Sequence, residues 1–197
     1  MSPITHFLTG WVLANSLGLE RRDRALVAMA GVIPDVDGLG LVADLATRGS
    51  AHPLNWWSEY HHVLCHNLGF CLLAAALVCG VARNKGKTVA LSIASFHLHL
   101  LGDLLGARGP DGEQWPIPYL LPFSSAWQWT WSGQWALNAW PNMAITALLL
   151  SATLHFAWRR GSSPLELVSV RADKAVVEAL RGRFGRSSDQ SGQERSR

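Results

Sequence analysis

The chain has no run in which basic residues interleave with aromatics, no CxxC pair, and no alternating apolar and polar stretch long enough for a strand. The first absence excludes the usual electrostatic footprint of nucleic-acid binding, so no nucleic-acid partner is expected. The second matters because the only cysteines, Cys65, Cys71 and Cys79, share one apolar segment. Neither a zinc ribbon nor a disulfide framework fits them, and they read as small buried hydrophobes. The third excludes sheet architectures. Charge is scarce too, at 16% of residues, against roughly a quarter in an average soluble domain. The opening MSPITHFLTG lacks the basic stretch of a secretory signal, so membrane targeting is expected from internal segments. No internal repeat is present.

What is present is a series of apolar segments joined by basic turns. Residues 4–19, 25–33, 60–82, 88–106 and 141–158 read as five helices, and 164–182 as an amphipathic sixth. Residues 107–137, rich in Pro, Gly and Trp, carry no regular pattern, and the polar tail GRSSDQSGQERSR (185–197) reads as disordered. The expectation is an all-α helical bundle with about five transmembrane helices over 1–161, followed over 162–197 by the amphipathic helix and tail. With the N-terminus outside, Arg21, Arg22, Arg24, Arg83, Lys85, Lys87, Arg159 and Arg160 all fall inside. The two outer loops then hold only Arg48 and Arg108, which is the positive-inside asymmetry.

The same threading sorts the ligand-type residues. His6, Asp35, Asp37, His61, His62, His66, His99 and Asp103 come from four separate helices and converge on the outer face, while His155 falls at the inner end. Such a group suits a divalent metal better than a dry core, because buried carboxylates need partners. In GVIPDVDGLG, proline and glycine break the helix and let both aspartates turn toward one point. In HLHLLGDLLG, His99 and Asp103 are four apart and share one helix face. His97 lies about 200° around from His99 and reads as a packing or supporting residue. In EYHHVLCHN, a helix from residue 60 would make His62 the mate of His66, whereas a later start would leave His61 free to point anywhere. His52 and His155 stand alone and read as ordinary histidines, and Glu59 as a solvated helix-start residue rather than a general base.

The ordered set His6, PDVD, HHVLCHN and HLLGD resembles the membrane-bound metal-dependent hydrolase family, typified by small bacterial inner-membrane proteins called YdjM-like. That family carries an early His, PD-x-D, H-R-x-x-T-H-S and H-x3-D, followed by a Gly/Pro-rich stretch with Trp. RGPDGEQWPIPYLLPF (108–123) is similar to that last stretch, and the likeness runs from about residue 5 to 125. It implies His6, Asp35, Asp37, His61, His66, His99 and Asp103 as metal ligands. On this point family register favours His61, where helix geometry favours His62. The chain departs from the pattern at His62, Cys65 and Asn67, which replace Arg, Thr and Ser. If that Arg steadies an anionic substrate, its loss bears on substrate class.

Seven ligands exceed what one four-coordinate zinc needs, and two metals sharing carboxylates would use them. The resemblance therefore implies a zinc-type hydrolase of the bacterial inner membrane. Its metal-activated water would attack a phosphoester or lipid-like substrate, with the site on the outer face and membrane lipids as partners. The competing expectation is a non-enzymatic membrane protein with a structural metal; a metal transporter fits less well, because only His155 continues the polar path inward. Trp56, Trp57, Trp115, Trp127, Trp129, Trp131, Trp135 and Trp140 crowd the outer loops. They suit an interfacial belt or a platform beside the metal.

Overall fold

The computed structural model describes residues 1–109 and 112–185; the polar tail expected to be disordered lies, after Gly185, outside them. Eight α-helices fill these residues: α1 Pro3–Ser16, α2 Arg21–Ala30, α3 Gly40–Thr47, α4 Trp56–Tyr60, α5 Leu68–Val81, α6 Lys85–Gly106, α7 Trp140–Arg160 and α8 Val170–Phe184. Short 3₁₀ segments cover Ile33–Leu39 and Pro164–Leu167. Among the described residues there is no strand, only isolated bridges pairing Arg108 with Ala136 and Ile117 with Trp129.

Local chemistry explains where the helices begin. Ser2 caps α1 by accepting from the Thr5 amide, with Pro3 at the first helical position. Asn67 caps α5 through the Phe70 amide, and Asn84 caps α6 through that of Lys87. Thus α5 starts at Leu68, not near residue 60. His61, His62 and His66 precede it in a compact turn, where the Asn67 side chain also donates to the Val63 and Leu64 carbonyls.

The bundle is organised around α6, which packs against α1, α2 and α5, while α1 also packs on α2 and α7. Gly10 lets α1 approach closely: a Cβ there would meet Ser95 Oγ at 2.5 Å and the Val27 carbonyl at 2.8 Å. Phe96 and Leu100 of α6 bury themselves with Cys71 and Ile117. Cys65 and Cys71 are buried, as expected of small hydrophobes, but Cys79 is exposed on the outer side of α5.

The expected five transmembrane helices are not what the chain forms. Among the described residues only α6 is long and apolar enough to cross a membrane, or two spans if α2 and the 33–47 segment, bent by 52°, count as one. Helices α1 and α5 have 14 residues each, about 21 Å at 1.5 Å per residue, short of a hydrocarbon core of about 30 Å. Helix α7 has 21 residues but is diluted by Asn142, Thr146, Ser151, Thr153 and His155. Even so, Leu72, Leu73 and Leu77 of α5, Leu98 and Leu101 of α6, and Leu148 and Leu154 of α7 face outward. Such an apolar exterior needs a covering of lipid or protein.

Two further connections position the site. The irregular 107–139 segment returns over the end of α6: Gln134 Nε2 donates to the Asp103 carbonyl, Asn142 Nδ2 to that of Gly106, and the Trp135 amide to that of Leu105. These donors satisfy carbonyls that a helix end leaves without partners. The same segment reaches the start of α5, where the Leu68 and Gly69 amides donate to the Tyr119 and Leu121 carbonyls. Gly69 has to be glycine for this, since a Cβ would lie 2.3 Å from Pro122 Cδ.

Candidate metal centre

Four of the anticipated residues meet at one point. Asp35 comes from the 3₁₀ turn after α2, His66 from the turn before α5, and His99 and Asp103 from successive turns of α6. One ligand-type atom from each lies within 4.8 Å of all the others. His66, His99 and Asp103 are at most 1 or 2% exposed, and Asp35 is partly open.

The ring orientations are set from behind. His99 Nδ1 donates to the Gly31 carbonyl at 2.8 Å, and His66 Nδ1 donates to Asp37 Oδ2 at 3.2 Å. Each inner nitrogen thus holds a proton against a fixed acceptor, which turns the Nε2 lone pair forward. The two Nε2 atoms face each other at 3.1 Å. Asp103 Oδ2 lies 3.0 Å from His99 Nε2 and 3.5 Å from His66 Nε2, without the alignment of a hydrogen bond. Asp35 Oδ2 is buried with no partner among the described residues. Two imidazole Nε2 atoms and two carboxylates crowd one small volume, where a cation can replace the proton that His66 otherwise holds. The donor set therefore fits a divalent metal.

The other three anticipated ligands stand around this group. Asp37 accepts from His61 Nδ1 at 2.8 Å through Oδ1, and from His66 Nδ1 and the Cys65 amide through Oδ2. Both of its oxygens are engaged with protein. His6 Nε2 pairs with Asp103 Oδ1 at 3.0 Å, and the Met1 ammonium also contacts that oxygen. His61 is bound to Asp37 and lies under Trp57, ring centroids 4.1 Å apart. His62 lies nearer the cluster than a lone packing residue would: its Nε2 is 3.9 Å from Asp103 Oδ2, and its Nδ1 is buried without a partner. It also holds φ at +68°, the left-handed region that a bulky residue seldom occupies. The i, i+4 relation between His62 and His66 does not apply, because no helix joins them.

Charge follows the geometry. Burial alone would lower the His66 imidazole, but the Asp103 and Asp37 carboxylates on either side outweigh it and raise its pKa to about 9. Burial and the neighbouring His66 hold His62 well below the ordinary histidine value, so it is neutral. Burial, reinforced by Asp37, pushes the Cys65 thiol up to about 11, which keeps it from acting as a thiolate ligand at neutral pH. His97 faces away, its Nδ1 donating to the Ile93 carbonyl at 2.8 Å and its Nε2 pairing with the Tyr119 hydroxyl at 2.9 Å, as a packing residue does.

A cavity of about 590 Å³ opens directly in front of the group, and Asp35, Asp103, His61 and His62 form part of its wall. Trp57, Trp115, Leu39 and Leu137 supply apolar wall, and Arg108 a cation. Trp115 lies edge-on to both His61 and His62. Of the eight loop tryptophans, Trp57 and Trp115 thus flank the candidate centre, whereas Trp56, Trp127, Trp131 and Trp140 are exposed. Sequence reasoning singled out neither Arg108 nor Gln134. Arg108 had a signal, being one of only two basic residues in the outer loops.

A family model described as YdjM inner membrane protein matches residues 1–172. No curated protein and no solved structure matches the chain.

Proposed function

The chain belongs to the YdjM inner membrane protein family, and we propose that it is a metal-dependent hydrolase of that membrane, acting on a phosphoester or lipid-like substrate. The observation that carries this reading is the cavity: two of the four donors, Asp35 and Asp103, form part of the wall of a space large enough for a small substrate. A purely structural metal would be closed off by protein on every side.

In this reading Asp35, His66, His99 and Asp103 hold the metal, with zinc favoured by the two imidazoles and two carboxylates. One cation accounts for these four donors; a second would have to draw on His6, Asp37 and His61, which are engaged with carboxylates or imidazoles already. A bound divalent cation supplies Lewis-acid polarisation and a more acidic water. The chain's own residues do the rest. Asp37 holds His66 in the tautomer that presents Nε2, the Gly31 carbonyl does the same for His99, and His6 steadies Asp103. Neutral His62, on the cavity wall beside the cluster, offers a ring nitrogen to hydrogen-bond an incoming group. Trp57 and Trp115 exclude water around it.

Orientation follows from charge. Lys87 reaches the carbonyl at the end of α1, and Arg160 reaches those of Asn15 and Ser16, so the basic residues gather at the end of the bundle away from the cluster. With that end in the cytosol, the site faces outward.

The test is metal content of the detergent-purified protein, beside His66→Ala and Asp103→Ala, followed by hydrolysis of bis-p-nitrophenyl phosphate. Stoichiometric metal lost in both variants, with hydrolysis lost in parallel, is the expected result. Folded protein with no metal above background overturns the reading.

A further inference from the structure

We propose that the cavity takes a phosphate-bearing amphiphile and that Arg108 is the residue that holds its anionic group; this rests on the hydrolase reading and names the substrate class for it. Arg108 supplies, besides the Met1 ammonium that contacts Asp103, the only cationic group among the described residues lining the cavity, which it shares with Asp35 and Asp103. Its position is built rather than incidental. The backbone amide donates to the Trp135 carbonyl at 3.1 Å, the carbonyl accepts from the Leu137 amide at 3.2 Å, and Nη2 donates to the Ser132 carbonyl at 2.8 Å. Nε, by contrast, is buried with no partner among the described residues. The guanidinium as a whole lines the cavity, and its planar fork matches the paired oxygens of a phosphate.

Charge balance points the same way. Asp35 and Asp103 face the metal position, and Asp103 also meets the Met1 ammonium, so among the described residues Arg108 has no carboxylate counterion. An anionic group entering between the cation and the guanidinium supplies one.

The rest of the molecule to be accommodated is apolar. Leu39 and Leu137, both on the cavity wall, are 64% and 53% exposed. Val36, Val42 and Trp140, on neighbouring stretches of chain, are exposed as well. A polar molecule would find a rim of this kind unfavourable, whereas an acyl chain would bury it. The anion thus sits inward and the hydrocarbon leaves over the rim.

The experiment is calorimetric titration of the full chain in a neutral maltoside detergent, with metal content measured on the same samples. Three probes separate the contributions: dihexanoyl phosphatidic acid, dihexanoyl phosphatidylcholine and inorganic phosphate. The phosphatidic acid is expected to bind about tenfold or more tighter than either of the others. Arg108→Gln removes that preference while keeping the metal, and Arg108→Lys, which keeps charge but not the fork, retains part of it. Unchanged binding in metal-loaded Arg108→Gln overturns the proposal, and so does inorganic phosphate binding as tightly as the lipid. Should Arg108→Gln lose its metal, Leu137→Asp decides. A carboxylate at the rim is expected to weaken phosphatidic acid binding about tenfold, and an unchanged affinity overturns the proposal. Wild-type protein without metal counts instead against the hydrolase reading.

Discussion

Two buried aspartates at opposite ends of the bundle show how differently one residue type can be used. Asp23, 2% exposed near the start of α2, accepts from the Arg83 and Asn84 amides at 3.0 and 2.9 Å and from the Thr88 hydroxyl at 2.9 Å. Its charge is spent joining α2 to the turn before α6. Asp103, also 2% exposed, has His6 and the Met1 ammonium on Oδ1, but its Oδ2 has no aligned donor and points into a cluster of imidazoles. A saturated carboxylate is mortar; an unsaturated one, buried beside other unsaturated donors, awaits a cation. Elsewhere at the first end the charges are similarly closed off, as in the paired contacts of Arg24 with both oxygens of Glu166 at 2.7 and 2.6 Å.

The sharpest way to break this contrast is to remove each carboxylate in turn. Asp103→Ala should abolish metal binding, read by elemental analysis, while helix content by circular dichroism stays near wild type. Asp23→Ala should leave metal content intact but lower stability on the order of 3 kcal/mol, because two amides and a hydroxyl lose their acceptor; thermal unfolding in detergent reads it. An Asp23→Ala variant that sheds its metal would erase the distinction between the two ends.

Acidity sharpens the comparison at the cluster end. The His66 pKa is raised from 6.5 to about 9, so protonation there stabilises the metal-free protein. That contribution is complete below about pH 6.5 and lost as pH rises through about 9, on the order of 3 kcal/mol. Metal affinity should climb over the same window as the competing proton leaves, measurable by zinc titration at pH 6, 7.5 and 9. A smaller effect is expected at Asp37, which orients rather than encloses: Asp37→Asn should weaken metal binding roughly 10–100-fold without eliminating it. The smallest belongs to the Arg83–Glu20 pair, whose side chains are 66% and 69% exposed. Glu20→Ala should shift stability by less than about 1 kcal/mol and metal affinity not at all.

How far these features could be read from sequence depended on whether local rules or long-range packing set them. His99 and Asp103 share a face because their spacing in a helix requires it, and α6 is that helix. The PDVD turn likewise breaks where Pro34 and Gly38 suggest. The turn at His61–His66 was harder to read. The apolar run to Val81 suggested a helix from about residue 60, yet Asn67 is a cap and starts it at Leu68. An asparagine cap at that position places the histidines in a turn, where the i, i+4 relation does not hold. The span count failed for a different reason: hydropathy cannot tell a lipid-facing helix from a short one packed against its neighbours. The roles of Gln134, Asn142 and Arg108 depend on a loop folding back across some 30 residues, and no local pattern encodes that.

The seating of the 117–123 segment against Gly69 has a consequence for how the protein breathes. Since the first amides of α5 find their acceptors on that segment and not within their own helix, neither can detach without exposing the other. Hydrogen exchange at Leu68 and Gly69 should therefore report the opening of the Trp-lined segment rather than fraying of a helix end. A methyl group at position 69 would act as a wedge, raising exchange on both sides together and admitting solvent beside His66 from behind.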